Sequence, residues 1–301
     1  MVFRVTKILN DQQFLFNNTR SREEEAKTLE RISTLKKVNR ASDQPADFRR
    51  IQSTKADLAE TASYQNIIEG TLTKFHLVED TMGSIRDDLE EARAIALQGT
   101  SNLNGPLERE TIADELQQLR LSIINRLNTR HEGEYIFSGT AINTQPFQDP
   151  ATGNYSGNAE TLEINVSPTD TVTVNFPGDE LAYGPGGQGS ADDVLDLLAD
   201  LETAFRANDM VTINAELPRL RPVQERINQT ISEVGTRSVR LLSEQSHYDE
   251  FELNLRAVLS DLEDADLAEE ALNLEATQNI IQGQLRSHGS TSRQSLLDFI
   301  G

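Results

Sequence analysis

Apolar residues recur at steps of three and four over two long stretches, and the rest of the chain is organised around them. In the first, Ile68, Thr71, Phe75, Val78, Met82, Ile85, Leu89, Ala92, Ala96 and Gly99 follow one another at those steps without a miss. In the second, Leu220, Ile227, Val234, Leu241, Tyr248, Leu255 and Leu262 stand seven apart, and Val223, Thr230, Arg237, Glu244, Phe251, Val258 and Ala265 run three behind them. Such a period keeps one helical face against a partner helix. At ~1.5 Å per residue the stretch from Leu220 to Leu262 spans ~63 Å, so other long helices must lie beside it. Arg237 and Glu244 interrupt the second seam, either as polar exceptions at the edge of a bundle or as register-setting groups.

The remaining elements follow in order. Residues 1–40 favour helix but are polar, with Val5, Ile8, Leu15, Leu29, Ile32 and Leu35 as sparse anchors, too few to fold as an isolated helix. Residues 37–48 break the period, and Ser42 or Asp43 is the expected cap of a helix over 47–99. The string NLNGP at 102–106 stops that helix. A third helix is predicted over 107–132, with Ile112, Leu116, Leu119 and Ile123 on one face. Runs at 135–138, 162–166 and 172–176, separated by turn clusters, predict a small antiparallel β insert. Residues 183–190 read as a flexible glycine-rich link. Helix resumes over 191–207, and the long helix follows. Past Leu262 the seam shifts register to Leu267, Ala271, Leu274, Gln278, Ile281 and Leu285. A last apolar patch, Leu296, Leu297, Phe299 and Ile300, is expected to meet a neighbour.

The predicted fold is therefore mainly α with a small β insert, an elongated helical-bundle rod. Terminal helices occupy 1–45 and 262–301, the bundle 46–134 and 191–261, and the β-rich domain 135–190. Composition agrees with thin helical layers: 37% of the 301 residues are hydrophobic, none is Trp, and 26% are charged. A net charge of -21 argues against nucleic acid and against anionic membranes as partners. The charge is uneven, however. Residues 1–60 carry twelve Lys/Arg against nine Asp/Glu, whereas 250–280 carry nine Asp/Glu and one Arg. The two ends are thus expected to pair electrostatically.

Candidate chemistry is sparse. Cysteine is absent, which excludes disulfides and thiolate-ligated metals. His76, His131, His247 and His288 form no metal-ligand spacing. Acidic pairs such as Asp87-Asp88, Glu90-Glu91, Asp192-Asp193 and Glu269-Glu270 read as solvated helix faces, and residues 184–189 match no phosphate-binding loop. No apolar run nears the ~20 residues of a membrane helix, and the first residues lack a cleavable signal pattern. No catalytic, cofactor or metal residue is expected.

Five strings carry a resemblance. They are RVTKIL at 4–9, KVNRASDQPADF at 37–48, YIFSGT at 135–140 with Pro146-Phe147 following, DLEDADLAEEALNLEATQ at 261–278, and SLLDFI at 295–300. In this order the chain resembles the flagellin family, most closely its hook–filament junction members, over essentially its whole length. It departs from the family at 14–20, where FLFNNTR stands in place of a leucine-rich line. The resemblance implies a structural subunit exported unfolded, without a cleaved signal peptide, through the flagellar type III apparatus. It implies an extracellular position between another hook-associated protein and flagellin, and a cytoplasmic export chaperone for the C-terminal helix. The terminal helices would build the inner tube of a homo-oligomeric layer, with Val5, Ile8, Leu15, Leu274, Ile281, Leu285, Leu296, Leu297, Phe299 and Ile300 at the subunit interface. Three alternatives remain open: a flagellin-like filament subunit, a non-polymerising secreted coiled-coil adhesin or scaffold, and an enzyme carried on the β insert. The last lacks any catalytic constellation.

Overall fold

The computed structural model describes residues 2–101 and 105–300, and side chains from 8 to 290 within them. The fold is mainly α. Helices α1 (Val2–Thr34), α2 (Pro45–Gly99) and α3 (Pro106–Leu127) come first. Four short strands follow: β1 (Arg130–His131), β2 (Glu134–Tyr135), β3 (Glu163–Ser167) and β4 (Asp170–Thr173). They form two antiparallel pairs, β1 with β2 and β3 with β4. The chain then continues through α4 (Gly178–Tyr183), α5 (Val194–Arg206), α6 (Met210–Glu216), a 3-10 turn, α7 (Leu220–Glu263) and α8 (Leu267–Ile300). Two compact units result, one of residues 1–61 with 250–301 and one of residues 62–249.

The larger unit holds the hydrophobic core, and both sequence seams build it. On α2 the row from Ile68 through Phe75, Met82 and Leu89 to Ala96 is buried throughout. On α7 Leu220, Val223, Ile227, Val234, Leu241 and Tyr248 are buried. Tyr64 stacks on Tyr248 with ring centroids 5.5 Å apart, and the Tyr248 hydroxyl donates to the Val166 carbonyl at 3.1 Å. Arg237 is a polar exception with a partner: its guanidinium lies 4.9 Å over the Phe176 ring and donates to the Thr173 carbonyl at 3.3 Å. Helix α3 packs along α5. Gly99, the last residue of α2, lets the Phe205 ring of α5 come close, since a Cβ there would overlap it.

The β region differs from the prediction in instructive ways. Helix α3 ends at Leu127, because the Asn128 side chain accepts from Phe147 N at 2.9 Å and donates to Phe147 O at 2.8 Å. Glu132 and Gly133, at φ 51° and 91°, then form the two-residue hairpin turn between β1 and β2. Residues 136–138 are not a strand. Ile136, Phe137 and Ser138 turn inward and are buried, and their backbone is satisfied from elsewhere. Tyr155 Oη and Gly178 N donate to Phe137 O at 3.0 and 2.8 Å, and Asn158 N donates to Ser138 O at 3.2 Å. Strand β4 stops at Thr173, short of the predicted 176, because Asn175 turns to bond Leu162 N and Glu160 O. The glycine-rich segment 183–190 follows a helix that the sequence pattern did not show, and it is anchored rather than free. Arg226 donates to the Leu181 and Asp192 carbonyls at 3.2 and 2.9 Å, and Asp193 accepts from Gly189 N at 2.9 Å.

Gly139 follows the buried Ser138 at φ 69°, and a Cβ there would overlap the Asn158 carbonyl oxygen. Gly139→Ala therefore combines left-handed backbone strain with a backbone clash. It is expected to destabilise the larger unit by at least about 2 kcal/mol, read as a lower urea midpoint with unchanged slope. An unshifted midpoint would contradict this account.

Candidate assembly surface

The smaller unit is organised differently. Its buried apolar side chains, among the described residues, are Val38, Ile51 and Ile281. Helices α1 and α8 pack along each other. The row of α1 with reduced exposure is Asp11, Phe14, Asn18, Ser21, Glu25 and Thr28, and that of α8 is Glu270, Leu274, Thr277, Ile281, Gln284 and His288. Contacts between the rows run in opposite chain directions. Phe14 stacks on His288 with centroids 4.0 Å apart, and His288 Nε2 lies 3.9 Å from the Asp11 carboxylate. Gln284 Nε2 donates to Ser21 Oγ at 3.1 Å, and Arg31 donates to Glu270 at 3.3 Å. The apolar members of this face are Phe14 and Ile32, the latter one turn past Thr28. Other large apolar residues of α1 point outward instead: Ile8, Leu9, Leu15 and Phe16 are 58%, 59%, 61% and 67% exposed. On α8, Leu272, Ile280 and Leu285 are exposed too.

A polar latch closes the unit. Leu35, at φ 60°, ends α1 in the left-handed conformation that commonly terminates helices. The next residues pair with the α7–α8 junction: Lys37 N donates to Glu263 O at 2.7 Å and Ala265 N to Leu35 O at 3.0 Å. The Glu263 carboxylate, buried, accepts from Lys36 at 2.5 Å and from Lys55 at 2.8 Å. Burial by itself pushes this carboxyl upward, but the hydrogen bonds and charges of Lys36 and Lys55 outweigh it and hold the group below its ordinary value. Asp266 then caps α8, accepting from Ala268 N at 2.8 Å and Glu269 N at 3.2 Å. The register shift anticipated past Leu262 is thus a helix break, with a new helix that has its own cap. At the other end of the α1–α2 link, Asp43 is not a helix cap. It accepts from Asn39 N and Arg40 N at 3.1 and 2.9 Å and closes the turn before Pro45.

Among the described residues no cluster of His, Asp or Glu is arranged to hold a metal ion, and no helix is long and apolar enough to cross a membrane. The groove lined by Gln118, Leu121, Ser122, Asn125, Arg126 and Thr129 is open, and Arg126 within it is already paired to Asp88 at 2.7 Å.

Residues 7–142 match the family model of the bacterial flagellin N-terminal helical region. A solved structure of a candidate flagellar hook-associated protein from Vibrio parahaemolyticus is similar over 74% of this chain and 100% of its own, at 23% identity and a TM-score of 0.67. Hook-associated protein-3 from Legionella pneumophila is similar over 70% of this chain and 98% of its own, at 15% identity and a TM-score of 0.62. FlgL from Bacillus cereus is similar over 70% and 99%, at 19% identity and a TM-score of 0.57. The fold is that of the flagellar hook-associated proteins. No curated protein sequence matches the chain.

Within this hook-associated fold the residues expected at a subunit interface divide. Ile8, Leu15 and Leu285 are exposed and free to meet another chain. Leu274 and Ile281 lie on the α8 row with reduced exposure, alongside Gln284 and Glu270, which bond to α1. The side chains of Val5, Leu296, Leu297, Phe299 and Ile300 lie outside the described residues. Leu9, Phe16, Leu272 and Ile280 were not anticipated. They stand next to, rather than on, the heptad positions used to read the seam, and only their exposure marks them.

Proposed function

We propose that the chain is a structural, non-catalytic subunit of the bacterial flagellum that joins hook to filament and assembles through its terminal helices. The observation that carries this reading is the inverted α1–α8 pair, whose facing rows are largely polar while most of its large apolar residues point outward. Exposed apolar rows of this kind need a covering partner, and the partner proposed is the next copy of this chain. The basic bias of residues 1–60 and the acidic bias of 250–280 suit the α1 of one copy to the α8 of the next. Repeated without closure, such a heterologous contact gives a helical layer. In this reading 1–45 and 262–301 form the inner tube, 46–134 and 191–261 the helical bundle rod, and 135–190 the outer domain. The subunit is exported unfolded to the extracellular flagellum. A cytoplasmic chaperone holds its C-terminal helix first, and another hook-associated protein and flagellin are its neighbours.

Hydrogen exchange on the full chain tests the reading. Amides of 1–45 and 262–301 are expected to exchange fast in the monomer and to slow on mixing with a hook-side protein, while the larger unit stays protected throughout. Uniform protection in the free monomer, unchanged on mixing, would overturn the proposal in favour of a non-polymerising adhesin.

A further inference from the structure

A helix pair held by uniform apolar rows can slide by one heptad at little cost, because each layer resembles the next. The α1–α8 rows are not uniform. Gln284 bonds Ser21, His288 is stacked on Phe14 beside Asp11, and Glu270 is paired with Arg31. A slip of seven residues sets Gln284 against Phe14 or Thr28, and Glu270 against Glu24 or past the end of α1. Every one of these matches is lost in either direction.

A second observation points the same way. Asn18 Nδ2 and Gln284 Oε1 are both buried and without a hydrogen-bond partner. A donor and an acceptor thus stand on facing helices, one helical turn apart on the α1 row. Buried groups left unsatisfied lower stability, so this layer is a poor means of simply holding two helices together. Polar groups placed between two helices instead select one register at a cost in stability.

The latch pairs residues 35–37 with 263–265 at one end of the helix pair; we infer that Asn18, Ser21 and Gln284, with the Asp11–Phe14–His288 layer, are the register-determining residues of the terminal pair away from that end. They set where Leu15 and Phe16 of α1 stand along the axis relative to Leu285 of α8, and so fix the axial pattern of apolar residues shown to a second copy of the chain. The consequence for assembly rests on the proposed function. The register itself does not, because it is a property of the monomer.

The absence of cysteine makes the test clean. Two reporter pairs are placed in the full chain. Thr28→Cys with Thr277→Cys reads the native register, and Thr28→Cys with Glu270→Cys reads a slip of one heptad. Each is oxidised as dilute monomer in the native background and in Asn18→Leu/Gln284→Leu. In the native background the 28–277 disulfide is expected to form about tenfold or more in excess of 28–270, the ratio that ~1.4 kcal/mol represents. In the leucine variant the two yields become comparable, while the circular dichroism of the larger unit is unchanged. A leucine variant that keeps the native preference overturns the inference. Absence of the 28–277 disulfide in the native background would overturn the pairing on which the proposed function rests as well. If register is lost and assembly persists, the register assignment stands and its link to assembly is refuted.

Discussion

Aspartate in place of both Leu15 and Phe16 is expected to abolish assembly while leaving the monomer folded as before. These side chains are 61% and 67% exposed in the monomer, so the isolated chain loses little when they become charged. In an assembled layer each would be covered by a neighbour, and full burial of a Leu or Phe contributes about 1.5–3 kcal/mol. About two thirds of that burial remains to be gained at each, so together they are worth about 2–4 kcal/mol, or roughly 30- to 1,000-fold in the association constant. Sedimentation should find the variant monomeric at concentrations where the native chain forms large species, with matching far-UV circular dichroism. Val211→Asp is the control: this residue is 81% exposed on α6 of the larger unit and should leave assembly unchanged. Native assembly by the double aspartate variant would remove the outward face of α1 from the interface.

Glu263→Ala is expected to release the smaller unit without disturbing the larger one. The smaller unit buries few apolar side chains, so its stability depends on polar contacts, and Glu263 is where three chain segments meet. The substitution removes a buried carboxylate from two lysines that are themselves partly exposed and can be resolvated. The loss is therefore about 1–3 kcal/mol rather than the larger penalty of an orphaned buried charge. Exchange at residues 1–61 and 250–263 should quicken about five- to 150-fold, while the amides of α3 and α5 keep their rates. Acid should imitate the mutation. With its folded-state pKa below the ordinary value of 4.5, Glu263 takes up its proton more readily in the unfolded chain. Its contribution is complete above that value and is lost as pH falls through the lower, folded one. Glu263→Gln should flatten this part of the acid profile. An unchanged profile would show that the two lysines do not govern the latch.

The two seams were legible in the sequence because α2 and α7 each bury one face along most of their length against a common core, and one-sided burial imprints a period on composition. On α7 the row of Leu255 and Leu262 stays half-buried past Tyr248, but the row behind it does not. Phe251 and Val258 continue the heptad pattern yet are 42% and 41% exposed. The YIFSGT string was visible, but its structure was not. Phe137 and Ser138 spend their backbone hydrogen bonds on Tyr155, Asn158 and Gly178, partners distant in sequence that no alternation pattern encodes. Helix α6 was hidden for a related reason: Asp209 reads as a stop, and it is also the cap of the next helix, accepting from Val211 N at 3.0 Å.

By itself, then, the sequence determined a mainly helical chain with two long seams, a small β insert and oppositely biased ends. Only the tertiary structure decided which way the terminal helices face. Ile8 and Leu15 are apolar anchors on any reading of α1, but a heptad pattern marks positions that need a partner without saying whether it is the same chain or another. The α1–α8 pair resolves this by placing Asp11, Asn18 and Ser21 inside and Leu15 and Phe16 outside. The choice turns on which side chains of α8 stand opposite, a long-range fact that a local period does not contain.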